Sequence, residues 1–157
     1  MEKFQENLRE AIKSMQIADH MAYVTFPLVN EQRLLLKIFD EIHKSILSSI
    51  TAVLNYEHEY HNIKNNINTP ANNQENIKTF QKCAREYNIS DQQIKTIMEI
   101  IELNIDHKAS AMEFVRKDKI VILSDNLRTR TLGIQKIKEY LLLAKELLMK
   151  VNQKTKA

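Results

Sequence analysis

From Asn30 to Ile63 the chain runs without Gly or Pro, and its apolar residues return at helical intervals: Leu35, Phe39, Ile42, Ile46, Ile50, Val53 and Tyr60. Steps of three and four place them on one stripe of an α-helix, which turns about every 3.6 residues. Only Glu57 breaks the series. A helix of roughly thirty residues extends about 45 Å at ~1.5 Å per residue, so this stretch is predicted to be the spine of a bundle. Leu34, Leu36 and Leu47 lie off the stripe and are expected to leave apolar area for a partner.

The same period organises the rest of the chain. A first helix is predicted from about Glu2 to Tyr23, with Phe4, Leu8, Ala11, Met15, Ala18 and Ala22 facing inward. Thr25, Phe26 and Pro27 are expected to break it, with Pro27 opening the spine, because Pro disfavours helix before it yet suits a first turn. The short connection predicts antiparallel packing. After the Asn-rich stretch KNNINTPANNQ, Thr69 as N-cap and Pro70 as first-turn residue predict a peripheral third helix to about Tyr87, striped by Ile77, Phe80, Ala84 and Tyr87. Ser90 and Gln93 form a capping-box pattern ahead of Ile94, Ile97, Met98, Ile101 and Ile105, a fourth helix. Ser110 and Glu113 repeat that pattern and predict a short helical turn through Val115.

Lys119 to Leu123, KIVIL, is the strand-like run. It must pair or lie extended over the bundle, and a small hairpin with Met112 to Arg116 across Lys117 and Asp118 is one arrangement. SDNLRTRT reads as a loop, with Thr131 capping a last helix from about Leu132 to Asn152 that buries Ile134, Ile137, Leu141, Ala144, Leu148 and Val151. The expected fold is all-α, an antiparallel helical bundle of four main helices with a small helix and a short extended or hairpin segment near 112–125. It forms one domain over 1–157, with 1–2 and 153–157 frayed.

Composition supports helices. One Gly and two Pro in 157 residues leave few of the residues that tight turns require. No apolar run approaches the roughly 18 residues of a membrane span, and the N-terminal MEKFQENLREAI has no apolar export core, so a cytoplasmic protein with no membrane partner is expected. The single Cys83 has no intramolecular partner and agrees with a reducing compartment. Charge is uneven: the residues from Lys108 onward carry 12 basic and 5 acidic side chains, +7 in all, so the first 107 carry −4 of the total of +3. That split can orient the protein toward an anionic surface or bring unlike faces of two copies together.

Glu57, His58, Glu59 and His61 are the densest group of possible metal ligands. Glu57, His58 and His61 are close on a helix, but a closed site requires further ligands from another helix. Asp40 and His43 stand three apart, as in the Glu-x-x-His motif of di-iron bundles, without a second copy in register. His20 and His107 lie near helix ends, where capping or packing suits them. Cys83 lacks the base, orienting group and oxyanion donors that a nucleophile needs, and Gly133 stands outside any Gly-rich phosphate loop. No residue set qualifies as catalytic, and no cofactor is expected. The most distinctive chemistry is AMEFVRKDKIVILSDNLRTRT, where Arg116, Lys117, Lys119, Arg128 and Arg130 bracket an apolar run and Phe114 is the aromatic among them. Basic side chains there can hold phosphates, which makes RNA a candidate partner; the alternative is a charged rim that keeps a packed strand soluble.

Through EFVRKDKIVILSD and LGIQKIKEYLLLAKELL the chain resembles a small, uncharacterised archaeal family of helical proteins, and this likeness implies a helical fold without an assigned activity. In architecture it is also similar to helical HEPN-type domains, several of which cleave RNA or partner nucleotidyltransferases. Their ribonuclease motif places His five residues after Arg. Here those positions hold Ser14, Ile38, Ser90, Val121, Gly133 and Gln135, after Arg9, Arg33, Arg85, Arg116, Arg128 and Arg130. The likeness therefore implies fold and not catalysis. The expected function is a non-enzymatic cytoplasmic interaction module that self-associates or binds a protein partner. The alternatives are an RNA- or ribosome-associated protein using the basic segment, and a metal-dependent helical enzyme using His58 and His61.

Overall fold

The computed structural model describes residues 1–63, 71 and 73–156. Helix α1 (Lys3–His20) passes through a π-helical turn, Met21–Thr25, into a short α2 (Phe26–Val29). The spine is α3 (Leu34–His61), followed by α4 (Gln74–Cys83) with a 3-10 turn at Ala84–Tyr87, and by α5 (Asp91–Lys108). Three antiparallel strands, β1 (Ser110–Arg116), β2 (Lys119–Ser124) and β3 (Thr129–Leu132), lead into α6 (Ile134–Thr155).

The spine buries most of its expected stripe, but Tyr60 is 50% exposed and Glu57, which interrupts the series, is buried. Leu35, Phe39, Ile42, Ile46, Ile50 and Val53 lose all solvent contact, and so do Ile38 and Ala52 beside the stripe. Leu34 and Leu36 are also partly covered against the core, so the apolar area expected there for a partner is mostly spent on folding. Helix α1 runs antiparallel along α3. Ser45 Oγ donates to Ala11 O at 2.8 Å, Asn55 Nδ2 to Asn7 Oδ1 at 2.7 Å and Tyr60 OH to Glu2 Oε1 at 2.6 Å, so one number falls as the other rises. Fully buried Ala11 and Ala18 allow the close approach. Helix α6 runs antiparallel to α5, with Glu146 receiving Gln93 Nε2 at 2.6 Å and Lys136 3.8 Å from Glu99.

The fold is predominantly helical and not purely so, because residues 110–132 form a sheet. The hairpin across Lys117 and Asp118 is present, with Phe114 opposite Val121 and Arg116 opposite Lys119. The helical turn expected from Ser110 and Glu113 is absent: that segment is β1, and Glu113 reaches across to His107 instead of back to a cap. β-branched and aromatic neighbours gain more from cross-strand pairing than from one isolated helical turn. Likewise Thr131 lies in β3 opposite Val121, and Gly133 takes the N-cap of α6.

Other boundaries moved for local reasons. Pro27 does not stop the helix, since it falls in the first turn of α2, and the wider π-turn precedes a residue that cannot donate. The spine accordingly begins at Leu34 and not at Pro27. Thr69 and Pro70, predicted to open the third helix, lie outside the described residues; α4 starts at Gln74, capped by Asn73, whose side chain accepts from Glu75 N at 2.9 Å. The Ser90–Gln93 capping box forms as read. Helix α6 continues past Asn152 to Thr155, which is buried and donates to Val151 O at 2.8 Å, so fraying does not begin at 153.

A chain with one Gly must turn its helices otherwise. Asn30, Asn62 and Asn88 each hold the left-handed conformation, with φ of 52°, 54° and 59°, and each terminates a helix. Asn bears this conformation better than other non-Gly residues. Asn62→Ala and Asn88→Ala should each lower unfolding free energy by ~1 kcal/mol, while the Gly replacements leave it unchanged or slightly higher; urea titration of the four variants checks this.

Candidate functional site

The three-stranded sheet has two chemically different faces, and the register assigns every residue to one. Val115, Ile120 and Leu132 form one row toward the bundle, and Glu113, Ile122 and Arg130 the next. Ile120, Ile122 and Leu132 are fully buried in the core. On the opposite face the rows are Met112, Leu123 and Thr129, then Phe114, Val121 and Thr131, then Arg116 with Lys119 at the hairpin end. Opposed residues share a face because successive side chains alternate.

Two ionic anchors seat the inner face. His107, at the end of α5, places Nε2 3.4 Å from Asp40 Oδ1 on α3, while its Nδ1 meets the Glu113 carboxylate on β1. One imidazole thereby joins the spine, α5 and the hairpin. Arg130 Nε stands 2.5 Å from Asp106 Oδ2 on α5 and its guanidinium 3.7 Å from Glu102, and Arg128 reaches the same Asp106 oxygen at 3.3 Å. The hydrogen bond to Asp40 raises the His107 pKa, helped by the bond and charge of Glu113, against the opposing effect of burial. Burial works against the Asp40 carboxylate, yet the hydrogen bond and charge of His107, with Lys108 and His43, hold its pKa below the usual value. His43 lies under the anchor, stacked on Phe39 at 6.4 Å, with Nε2 buried and unpartnered. Burial lowers its pKa to about 4, outweighing the attraction of Asp40.

The basic residues singled out in the sequence therefore divide. Arg128 and Arg130 are tied to acids of α5. Arg116, Lys117 and Lys119 are exposed and make no ion pair among the described residues. The Lys119 stem also fills the space over Gly133, where an added Cβ would come within 3.3 Å of it.

Glu57, His58 and His61 do not converge on one point. Glu57 is 2% exposed, receiving Tyr87 OH at 2.8 Å on one oxygen and His61 Nδ1 at 2.6 Å on the other. His58 Nδ1 instead donates to Ile63 O at 2.9 Å. Among the described residues no three His, Cys, Asp or Glu side chains form a group that could hold a metal ion. Cys83 is buried, and burial followed by the charges of Glu57 and Glu86 pushes its thiol up to about 11, which removes thiolate at neutral pH. No helix among the described residues is long and apolar enough to cross a membrane.

Sequence reasoning noted Asp40 with His43 and placed His107 near a helix end, but it did not join them, because Glu113 had been given to a cap. The available signal was the strand-compatible run around Glu113, which turns that side chain toward the bundle once it pairs with KIVIL. Comparison with protein-family models, curated proteins and solved structures finds no significant match.

The two histidines give the fold opposite pH responses. The folded pKa of His107 is raised, so its contribution is complete below the unfolded value near 6.5 and disappears as pH rises through the folded value. For His43 the folded pKa is depressed from 6.5 to about 4, so its neutral buried form costs stability as pH falls through that window, on the order of 2 kcal/mol between pH 7 and 5. Between pH 7 and pH 5 the change in denaturation midpoint should therefore be more unfavourable in His107→Gln than in the parent protein. In His43→Leu it should be more favourable than in the parent.

Proposed function

We propose that this protein is a non-enzymatic binding module whose working surface is the outer face of the hairpin sheet. The observation that carries this reading is the division of side chains by register: the inner face is spent largely on the core and its ionic anchors, while the outer face carries exposed Met112 and half-buried Phe114 and Leu123 beside Arg116, Lys117 and Lys119, which make no ion pair among the described residues. Met112 is 56% exposed. Phe114 is half-buried and Val121 beside it is 6% exposed, yet neither joins the main core cluster, so this face has a small apolar cluster of its own with Met112 as its exposed member. The anchors at His107 and Arg130 hold it rigidly, and a rigid surface binds with less ordering cost. Against catalysis stand the unreactive Cys83, the His107 ring with both nitrogens engaged, and the separated Glu57, His61 and His58.

Self-association is a second reading, favoured by the exposed corner around α2, where Val24, Leu28 and Val29 are exposed and Leu28 is 83% so, beside Tyr23, whose ring meets Lys138 and Lys145. The two are separated by paired variants. Met112→Ser/Phe114→Ser should keep the far-UV circular dichroism of the parent and reduce material co-purifying at low salt by roughly fivefold or more. Leu28→Ser/Val29→Ser should leave that material unchanged and shift only the sedimentation profile in a concentration series. Equal retention by the sheet-face variant would defeat the primary assignment.

A further inference from the structure

We infer that the ligand of this face is a single-stranded nucleic acid, gripped by its phosphates at Arg116, Lys117 and Lys119 and by a base stacked on Phe114. The inference rests on the binding-module assignment and adds the chemistry of the partner. Its first support is a charge arrangement that folding alone does not explain. Arg116 and Lys119 are direct cross-strand partners, and like charges so placed repel. Lys117 stands between them in the left-handed conformation, φ 57°, at a position that Gly would hold with less strain. The turn thus concentrates three cations against the single acid Asp118. Elsewhere on the same sheet the molecule neutralises its arginines, giving Arg128 and Arg130 to Asp106 and Glu102. An anion bridging Arg116 and Lys119 relieves the repulsion, and a phosphate suits both groups, bidentate on Arg and as a point charge on Lys.

The second support is Phe114. It lies on the same face two residues from Arg116, about 7 Å along the strand, comparable to the separation of a nucleobase from a phosphate of its own chain. Its ring meets no other aromatic ring among the described residues and is not part of the bundle core. Val121, which is buried, and Thr131 lie level with it across the strands, so the half-buried ring has an apolar neighbour on one side and a hydroxyl-bearing one beyond it. A sheet that offers an aromatic with cations alongside is a stacking platform for unpaired bases, whereas a duplex presents its bases already stacked and offers Phe114 nothing. An acidic protein would satisfy the cations but would not require the ring's π-face.

Fluorescence anisotropy with labelled oligouridine, oligothymidine of equal length and an RNA duplex tests this in the full chain. Both single strands should bind more tightly than the duplex, with a log–log salt slope of about −2, as three phosphates on a single strand predict. Arg116→Gln/Lys119→Gln should flatten the slope by about 1.4. Phe114→Leu, which keeps an apolar side chain against Val121 but removes the π-face, should weaken binding roughly tenfold, and Phe114→Tyr should restore it. Lys82→Gln/Lys95→Gln, distant exposed cations, should change little. A preference for oligouridine over oligothymidine marks RNA as the ligand and its reversal marks DNA, the inference standing in both cases. It fails if binding is insensitive to the Phe114, Arg116 and Lys119 changes, or if the duplex binds equally well. It also fails if no oligonucleotide binds while Met112→Ser/Phe114→Ser still abolishes low-salt co-purification. That last result leaves the binding module intact with a protein as its partner.

Discussion

The burial of α3 on nearly every side is the constraint from which the other elements take their positions. A surface helix needs one apolar stripe, yet Ile38 and Ala52 join Phe39, Ile42, Ile46, Ile50 and Val53 in complete burial. Such a helix has to be covered from several directions. Helix α1 covers it closely because Ala11 and Ala18 let the backbones approach, and Ser45 satisfies its hydroxyl on the Ala11 carbonyl. Helix α6 contributes Ile137, Leu141, Ala144, Leu148 and Val151 to the same core. The sheet adds Ile120, Ile122 and Leu132, and α5 lies beneath it. The orientation of the outer sheet face thus follows from a packing requirement on the spine.

Polar groups inside that core act as fixed points. Glu57 is nearly inaccessible, and a lone buried carboxylate would be costly. Tyr87 and His61 meet both of its oxygens, and Tyr87 belongs to the turn that ends α4, so the carboxylate docks that layer on the spine. Burial first, and then the bond to Glu57, raise the Tyr87 pKa and keep its hydroxyl a donor. At the other end of α3, Asp40 performs the equivalent task for the hairpin through His107. Both places had suggested ligand chemistry in the sequence. In the fold their donors face one another, which is the arrangement of a structural tie.

How much could be read beforehand depended on whether the signal was local. The helices α1, α3, α5 and α6 and the Ser90 capping box are visible within a few residues and appear where expected, but the stripes err at their ends: Tyr60 and Ile105 are exposed, and α5 buries Ile100 and Leu103 as well. The hairpin was accessible only as one of two options, since MEFVR tolerates either a helical turn or a strand until KIVIL is laid beside it. β3 gave no signal at all: TRTL has neither the alternation nor the length of a strand, and pairing with β2 makes it one. Pro27 misled for a similar reason, because its effect depends on which helical turn it occupies. The His107 anchor joins residues remote in sequence, and no spacing rule reaches across that distance. Of the candidate site, residue types could be named in advance, but the separation of Arg128 and Arg130 from Arg116, Lys117 and Lys119 required the register.

That separation also recasts the uneven charge of the chain. The surplus of positive charge after Lys108 does not form one basic face, because much of it is met by acids on earlier helices: Arg128 and Arg130 by Asp106 and Glu102, Lys136 by Glu99, and Lys145 by Asp19 at 2.5 Å. Pairs of this kind contribute modestly to stability, but each weakens the local attraction for anions. Among the cations that no acid meets in the described residues are the three at the hairpin end, and the hairpin holds these in mutual repulsion. Cations held close together steer an anionic partner toward them, and an apolar face beside them allows the encounter to become specific contact.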